Sequence, residues 1–576
     1  MDGHETAPKG LDALIHNLQQ PTTLAIISAV LAILLTTRLV TGGSSTFKDG
    51  SKSPPLAPHW IPILDHLPRI FFSPIFALTR LRNRYSEGLF SIRIFGHVHT
   101  FVFKPVLADS LLQQPGSVTD KRPLARRLLV STFGLSSKDL EAYDKASAEL
   151  QAASNEFLSG SHLNDLSKAT FRDLNFAVAD LVSFNSYPID HADWERLANA
   201  EKVDDEIRKE STMAVDLLQL IKAFVARTAN ASLFGADFVE NFPEIWPYFW
   251  EFDESFDTLG LNFPIWVPWL GAQRGRMALR KLLGFLREYH VAWEMQLNGE
   301  NKDPRWQDFH TASPLIRARV DIFRKHALSI DARASCDLAL LWSVNASSTP
   351  LISWSLLELY RDPVLLEQVR EEIAPFAQIL QPTHEFSLAV WLPPKIEKVD
   401  LDGLVTKCPL LKATYIETAR LYGGGWSASR LNKDVILKDE KVSYVLNKGT
   451  YAHILNHLHH SDPKVFPNPN DWQLDRHLQQ SGDEKGAAKT ANMGSVKSYD
   501  GSIALSNDSD LAMRRTLLYT AVILSLYNIE PADGGKWNVS RIFRGPVSAR
   551  PVRSLRAWVS RRKAHQETSE TDSQDE

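Results

Sequence analysis

An uncharged apolar segment near the N-terminus is the feature that most constrains what this chain can fold into. Between Asp12 and Arg38 there is no Asp, Glu, Lys or Arg, and Leu24–Leu35 is almost wholly aliphatic. A helix that crosses the hydrocarbon core of a bilayer needs about 20 mostly apolar residues. A secretory signal begins with a basic region, whereas this chain begins Met-Asp-Gly-His-Glu. We therefore expect one transmembrane anchor at residues 18–38, the alternative being a cleaved or merely buried helix.

The charges around this segment indicate its orientation. One lysine precedes the segment and three basic residues follow it closely. The positive-inside rule then places residues 1–17 in the lumen and the main domain in the cytosol. Residues 39–63 combine a Gly/Ser/Lys-rich stretch with several prolines, so we expect a linker followed by a stiff hinge. The expected location is a single-pass protein of the endoplasmic reticulum membrane.

Charge balance and cysteine content exclude several protein classes. Across 576 residues, 64 Lys and Arg face 68 Asp and Glu, which leaves no basic excess for nucleic acid. Only two cysteines occur, Cys336 and Cys408, so a disulfide framework and a zinc ribbon are excluded. The histidines near residue 457 have spacing that could suit a metal, but hydrogen bonding is the simpler interpretation, and we expect no metal site.

The hydrophobic periodicity predicts a mainly α fold with small β-sheets over residues 64–562, followed by an acidic, disordered tail at residues 563–576. Helical spacing is found in the following segments: Asp139–Leu158, Asp204–Phe234, Arg274–Leu297, Asp331–Leu359 and Asp362–Leu380. Short strand-like segments occur at Leu89–Phe95, Thr100–Phe103 and Tyr444–Leu446.

Four features follow one another along this domain. A proline-rich hinge follows the anchor, and Leu341–Leu357 forms an apolar helical segment containing Pro350, which is expected to kink the helix by removing a hydrogen bond. Next comes Glu417-Thr-Ala-Arg420, whose two charged residues share a helix face. This third feature is completed by a later segment that runs from His459-x-x-Asp462-Pro463 to Asp475-Arg476, and the fourth is a strand-like region after residue 527. In this order, these features resemble the cytochrome P-450 family, and in particular the branch of prostacyclin synthase and the sterol 7α- and 12α-hydroxylases, with its fungal relatives.

The resemblance implies roles for particular residues. Glu417 and Arg420, completed by Arg476, correspond to a structural triad that ties a helix to a loop beneath the haem face. Ser347 and Ser348 stand where most of the family has an acid–threonine pair for proton delivery, and with Thr349 they are candidate catalytic residues that line the cavity. The competing interpretation is that these hydroxyls bond back to helix carbonyls.

One departure from the family decided our functional expectation. The family holds its haem iron through one cysteine thiolate, and the register of the flanking segments puts that position at Ser506 in this chain. No cysteine follows Cys408, and a serine hydroxyl is a poor axial ligand. We therefore expect a degenerate member with no cofactor, the alternative being a haem protein.

Three functions follow from this interpretation. The first is a haem-less enzyme of fungal secondary metabolism that uses an apolar cavity for non-redox cyclisation or isomerisation, for example a Diels–Alder-type cyclisation, of a terpenoid or polyketide. The second is a pseudoenzyme scaffold for pathway oxygenases. The third, if the haem loop is misread, is a haem-dependent monooxygenase or peroxide isomerase. The expected partners are an apolar small-molecule substrate, the membrane, and pathway oxygenases or a reductase. In the family, the aromatic stretch from Phe242 to Trp269 roofs the substrate cavity, with simple core packing as the alternative.

Overall fold

The computed structural model describes residues 20–562 except 73, 205, 207–209, 261–269, 301, 381–394, 441, 481–488, 498–508, 533, 541, 546–547 and 552. Its helices are α1 (Pro21–Val40), α2 (Leu67–Phe72), α3 (Pro74–Arg84), α4 (Pro105–Leu112), α5 (Arg122–Ser131), α6 (Leu140–Phe157), α7 (Gly160–Ala177), α8 (Asp193–Leu197), α9 (Leu217–Phe234), α10 (Ala236–Asn241), α11 (Ile245–Glu254), α12 (Phe256–Gly260), α13 (Leu270–Leu297), α14 (Pro314–Lys325), α15 (Ile330–Ala346), α16 (Ser348–Arg361), α17 (Pro363–Ile373), α18 (Leu401–Lys407), α19 (Pro409–Tyr422), α20 (Asn456–His460) and α21 (Ser509–Leu526).

The strands are short, as the sequence predicts for a mainly α protein. They are β1 (Leu89–Ile94), β2 (His97–Val102), β3 (Thr119–Asp120), β4 (Glu201–Lys202), β5 (Thr212–Asp216), β6 (Ala377–Leu380), β7 (Lys395–Val399), β8 (Trp426–Leu431), β9 (Val435–Lys438), β10 (Ser443–Leu446), β11 (Tyr451–Leu455), β12 (Leu478–Gln480), β13 (Lys489–Ala491), β14 (Tyr527–Pro531), β15 (Ile542–Arg544), β16 (Ala549–Pro551) and β17 (Arg556–Arg561).

The chain divides into two compact units. The first contains residues 1–123 and 427–459, and the second contains residues 124–426 and 460–576. The first unit is built on the sheet β1-β2-β11-β8-β3, in which β1 and β2 form an antiparallel hairpin and β11 runs parallel to β2. The second unit holds most of the helices, together with the antiparallel sheet β14-β17-β5-β4.

The N-terminal helix α1 has the properties of a membrane span. It is 20 residues long, its most apolar window has a mean hydropathy of 2.2, and none of that window is buried. It overlaps the predicted span at residues 18–38, of which residues 18 and 19 lie outside the described part. The predicted lumenal residues 1–17 and the acidic tail at residues 563–576 also lie outside it.

The segment predicted to be a linker folds back on itself. Gly43 and Leu56 exchange two backbone hydrogen bonds of 3.0 and 2.8 Å, and Phe47 N donates to Ser51 O at 2.7 Å. The turn between these arms contains Gly50 at a φ of 80°, a conformation that glycine adopts without strain. This part of residues 39–63 is therefore a paired hairpin, because its two arms hydrogen-bond to each other.

The central helix differs from the single kinked helix that the sequence predicts. It breaks into α15 and α16 at Ser347, three residues ahead of Pro350. A proline inside a helix has no N–H to donate and clashes with the carbonyl four residues earlier. The break puts Pro350 in the first turn of α16, where an N–H would have no partner in the helix.

Two other predicted helices are shorter than expected. Residues 212–216 of the segment Asp204–Phe234 form β5, and α9 begins only after Asp216, whose carboxylate accepts from Gln219 N at 3.3 Å. The segment Asp362–Leu380 ends as a helix at Ile373 and continues into β6. In both segments, sheet pairing outweighs a helix-like apolar spacing.

The core of the second unit is formed by two apolar clusters. One is rich in aromatic side chains, and α11 contributes Trp246, Phe249 and Trp250 to it. These three side chains are at most 6% exposed. The first half of the predicted roof therefore packs in the core, and its second half, residues 261–269, lies outside the described residues.

Candidate functional site

A fully buried carboxylate, that of Glu417 in α19, is the centre of the first candidate site. Arg420 lies one turn further along the same helix and donates Nε to Oε2 and Nη2 to Oε1, both at 2.8 Å. The backbone N of Gln473 donates to Oε1 at 2.9 Å. The predicted pairing of Glu417 with Arg420 is therefore present as a two-point ion pair, the geometry that arginine and carboxylate favour.

Arg420 also ties the helix to the chain that follows it. Its Nη1 donates to the carbonyls of His460 and Pro469 at 2.9 and 2.8 Å, and its Nη2 donates to the carbonyl of Asp471 at 3.2 Å. One buried guanidinium therefore donates hydrogen bonds to three carbonyls, one at the end of α20 and two in the irregular segment that follows it. This arrangement holds the segment in place against α19.

The third predicted member, Arg476, contributes less than the motif implies. Its Nε lies 3.5 Å from Glu417 Oε1 without forming a hydrogen bond, and its Nη2 donates to Asn468 O at 3.0 Å. The next residue, His477, is buried and lies 2.8 Å from Glu417 Oε2 through its Nε2. The sequence did not predict a role for His477, because its only distinguishing feature there is that it directly follows Arg476.

Two opposing effects set the pKa of Glu417. Burial favours the neutral carboxyl, but the hydrogen bonds from Arg420 and His477 outweigh burial and hold the pKa of Glu417 below its usual value. The side chain is therefore an anion at neutral pH. Its role as a structural triad with Arg420 and Arg476 stays a prediction.

The second candidate site is the break in the central helix. Ser347 Oγ donates to Ser343 O at 3.2 Å, and the fully buried Ser348 Oγ donates to Val344 O at 2.9 Å. Thr349 is also fully buried, and its Oγ1 has no hydrogen-bond partner within the described part of the chain. Two of the three predicted hydroxyls are thus satisfied by their own helix, and only that of Thr349 is left to bind another group.

A residue that the sequence analysis missed, Arg515 of α21, reaches the same break. Its Nη1 donates to Val344 O at 2.7 Å and to Ser348 Oγ at 3.3 Å. A helix that ends leaves carbonyls without intrahelical partners, and this buried guanidinium takes up one of them. The only available signal was a positive charge within an otherwise apolar helical segment.

Acidic groups are distant from the break along the helix. The sequence from Leu338 to Leu357 contains no Asp or Glu. At a rise of 1.5 Å per residue, Asp337 lies roughly 15 Å before the break and Glu358 a similar distance after it. The break therefore supplies one available hydroxyl and a guanidinium, but no carboxylate from its own helix.

Comparison with known proteins decides the family. Residues 195–494, which are more than half of the chain, match the sequence model for cytochrome P-450. The chain belongs to the cytochrome P-450 family. The predicted family and its mainly α fold after one N-terminal apolar helix are thereby confirmed.

Several curated relatives are similar over most of their length. The chain is 24% identical to the cytochrome P-450 monooxygenase efuG of Hormonema carpetanum, over 84% of this chain and 85% of the relative. It is 23% identical to mouse cytochrome P-450 7B1, over 74% of each chain. It is 22% identical to human 7-alpha-hydroxycholest-4-en-3-one 12-alpha-hydroxylase, over 75% of this chain and 77% of the relative.

The comparisons contradict the expectation that this protein has no cofactor. Membership of the cytochrome P-450 family, together with these relatives, points to haem. The prediction relied on a single position, Ser506, which lies in residues 498–508, outside the described part of the structure. A missing cysteine at one position is weaker evidence than a family match over half of the chain.

The described residues can still be tested for a thiolate ligand of the haem. Cys336 and Cys408 are both buried, and burial raises the pKa of each thiol to about 12 when no metal is bound. Cys408 Sγ lies 3.6 Å from Glu372 O. Residues 498–508 contain no cysteine. Neither described cysteine stands at the family's ligand position, Ser506, so the described residues do not fit a thiolate-ligated haem.

Proposed function

We propose that this protein is a membrane-anchored cytochrome P-450 enzyme of fungal secondary metabolism that cyclises or isomerises an apolar terpenoid or polyketide intermediate without net oxidation. The main support for the proposal is the set of polar side chains at the break of the central helix. Two serine hydroxyls bond back to their helix, and no carboxylate follows Asp337 before Glu358. Most of the family has an acid–threonine pair at this place for proton delivery to bound oxygen, and the central helix of this chain has no acid there.

A redox-neutral reaction needs less from these residues. Holding two reacting carbons at near-attack distance replaces a bimolecular step by an effectively unimolecular one, which lowers the barrier by roughly 7–11 kcal/mol in favourable cases. Thr349 Oγ1, buried and without a partner among the described residues, is the group that would donate a hydrogen bond to a substrate carbonyl. A preorganised donor of this kind stabilises the charge that develops on that oxygen in the transition state.

A second candidate is a haem-dependent monooxygenase with a reductase partner. The name and coverage of efuG favour it, since that relative is called a monooxygenase and matches over 85% of its length. Both candidates share an apolar small-molecule substrate and location in the endoplasmic reticulum membrane, which the apolar helix α1 supports. A scaffold for pathway oxygenases is the third possible outcome of the test.

The test starts from the compound that accumulates when the gene is deleted in the producing organism. Membranes carrying the protein are incubated with this compound, with and without NADPH and a reductase. We expect conversion to an isomer of unchanged mass in the absence of NADPH. Gain of one oxygen that requires NADPH would refute the proposal and favour the monooxygenase. No conversion by the membranes, together with reduced flux at several pathway steps after deletion, would favour the scaffold.

A further inference from the structure

A buried lysine in the second unit has no polar partner in the part of the chain that the structure describes. Lys222 lies in α9, is 8% exposed, and places its ammonium 5.1 Å from the ring centre of Trp250. No described carboxylate lies within 4.0 Å of it, and no described group forms a hydrogen bond with it. Burying a charge in this way is costly unless a ligand or water completes its hydrogen bonds.

A carboxylate with one free oxygen lies on the neighbouring helix α11. Asp253 accepts a hydrogen bond at Oδ1 from Trp342 Nε1 at 2.9 Å, while its Oδ2 has no described donor. Lys222 and Asp253 nevertheless influence each other electrostatically. Burial lowers the pKa of Lys222 while Asp253 opposes that change, and burial raises the pKa of Asp253 while Lys222 opposes it. Trp250 and Asp253 are three residues apart on α11, so the Lys222 ammonium beside the Trp250 ring lies on the same face of that helix as the Asp253 carboxylate, without forming an ion pair with it.

The Asp253 carboxylate borders a wall of aromatic side chains. Trp342 of α15 stacks on Phe256 with ring centres 4.1 Å apart and planes within 5°, and Phe133 packs edge-on against the same indole at 5.7 Å. Trp342 precedes the break at Ser347 by five residues, which is about 7.5 Å along a helix. Asp253 therefore lies beside apolar rings suited to a hydrocarbon skeleton, and its hydrogen-bond donor Trp342 belongs to the helix that ends at the break.

We propose that Lys222 and Asp253 together bind the hydroxyl group of an otherwise apolar, alcohol-bearing substrate. An alcohol oxygen accepts from the ammonium and donates its proton to the carboxylate, so one group satisfies both. A plain hydrocarbon would leave the ammonium and the second carboxylate oxygen without a hydrogen-bond partner, whereas an alcohol supplies both at once. The proposal depends on the proposed function only in placing the substrate beside this pair.

The test compares matched pairs of alcohol and hydrocarbon. Purified full-length protein in detergent is titrated with androstanol and androstane, and with phytol and phytane, while tryptophan fluorescence is followed. Trp250 and Trp342 flank the pair, so binding there is expected to change this signal. We expect each alcohol to bind about tenfold more tightly than its hydrocarbon, since a hydrogen bond to a charged group contributes at least that much.

Two variants test whether the preference for alcohols depends on Lys222 and Asp253. Lys222→Met is expected to reduce the preference for alcohols to less than about twofold while leaving hydrocarbon binding unchanged. Asp253→Asn keeps an acceptor for Trp342 and is expected to weaken alcohol binding too, which provides a second test if Lys222→Met does not fold. The exposed Lys281→Met is the matched control. Equal binding of alcohol and hydrocarbon, or a preference that survives both variants, would overturn this inference and leave the proposed function intact. Binding of none of the four probes would count against the apolar-substrate site itself.

Discussion

The two arginines near Glu417 provide a sharp quantitative prediction, because sequence places both in one triad while the structure gives them unequal roles. Replacing Arg420 by Met leaves the buried Glu417 without its two-point partner and three carbonyls without a donor. Breaking a buried ion pair costs about 3–5 kcal/mol. Since a whole domain is stable by only about 5–15 kcal/mol, Arg420→Met is expected to remove a large part of the stability of the folded protein.

The same substitution at Arg476 is expected to be mild. Its Nε is a buried donor that does not reach Glu417, so removing it deletes an unsatisfied group, and only the 3.0 Å bond to Asn468 O is lost. We expect a cost of about 1 kcal/mol or less for Arg476→Met. His477→Phe is expected to lie between the two, because its 2.8 Å contact with Glu417 is buried.

Urea unfolding of the detergent-solubilised full chain, followed by tryptophan fluorescence, measures these differences through the shift of the midpoint. Arg172→Met, at a largely exposed arginine of α7, is the matched control and is expected to change nothing measurable. Equal costs for Arg420→Met and Arg476→Met would refute the inequality derived from the distances. A cost below about 1 kcal/mol for Arg420→Met would refute the central role of the pair.

The pH dependence provides an independent check on Glu417. Its pKa in the folded protein lies below the usual 4.5, so the ionised form stabilises the fold above that pH. The contribution is lost as the pH falls through and below 4.5. The stability difference between wild type and Glu417→Gln is therefore expected to be largest at neutral pH and to shrink in acid. A difference that stays constant from neutral pH to pH about 3 would show that charge is not its cause.

Three further predictions concern the second unit. Burial raises the pKa of Asp257 from 3.8 to about 6, so Asp257→Asn is expected to stabilise the protein by up to about 3 kcal/mol at pH 8 and by nothing below pH about 4 in urea unfolding. A gain that is independent of pH would contradict this. Arg515→Met is expected to cost about 2–3 kcal/mol through the Val344 carbonyl, while its neighbour Arg514→Met, paired with an exposed carboxylate, is expected to cost less than about 1 kcal/mol by the same assay. Thr349→Val is expected to leave the unfolding temperature unchanged or raise it, because its hydroxyl has no described partner, and a clear fall would reveal one.

The sequence predicted best where one residue type at a fixed spacing imposes a geometry. The 20-residue apolar run of α1 and the three-residue spacing from Glu417 to Arg420 each require little beyond helix periodicity. His477 and Arg515 could not be predicted in this way. Their partners, Glu417 and Val344, are brought near them only by the packing of helices distant in sequence.

Boundaries between elements were predicted less well, because long-range pairing decides them. The segment at Thr212–Asp216 has a helix-like apolar spacing, yet it pairs with β17 from the far end of the chain. Pro350 correctly marked a disturbance in the central helix, but the position of the break at Ser347 depends on how the freed carbonyls find new partners. The expectation of no cofactor failed for a related reason: one substituted position, Ser506, was given more weight than the whole domain.

The hairpin that follows the anchor has a practical consequence for protein engineering. Its second arm continues two sheets of the first unit: Lys52 N donates to Ser443 O at 2.9 Å, and Ser91 exchanges bonds with Pro55 and Ala57 at 2.8 Å. A version that lacks residues 1–63 would lose this arm and expose the sheet edges that it covers. Exposed sheet edges favour aggregation between molecules. A version whose first residue is Thr41 would lack residues 1–40, which include α1, but would keep the hairpin that covers those edges.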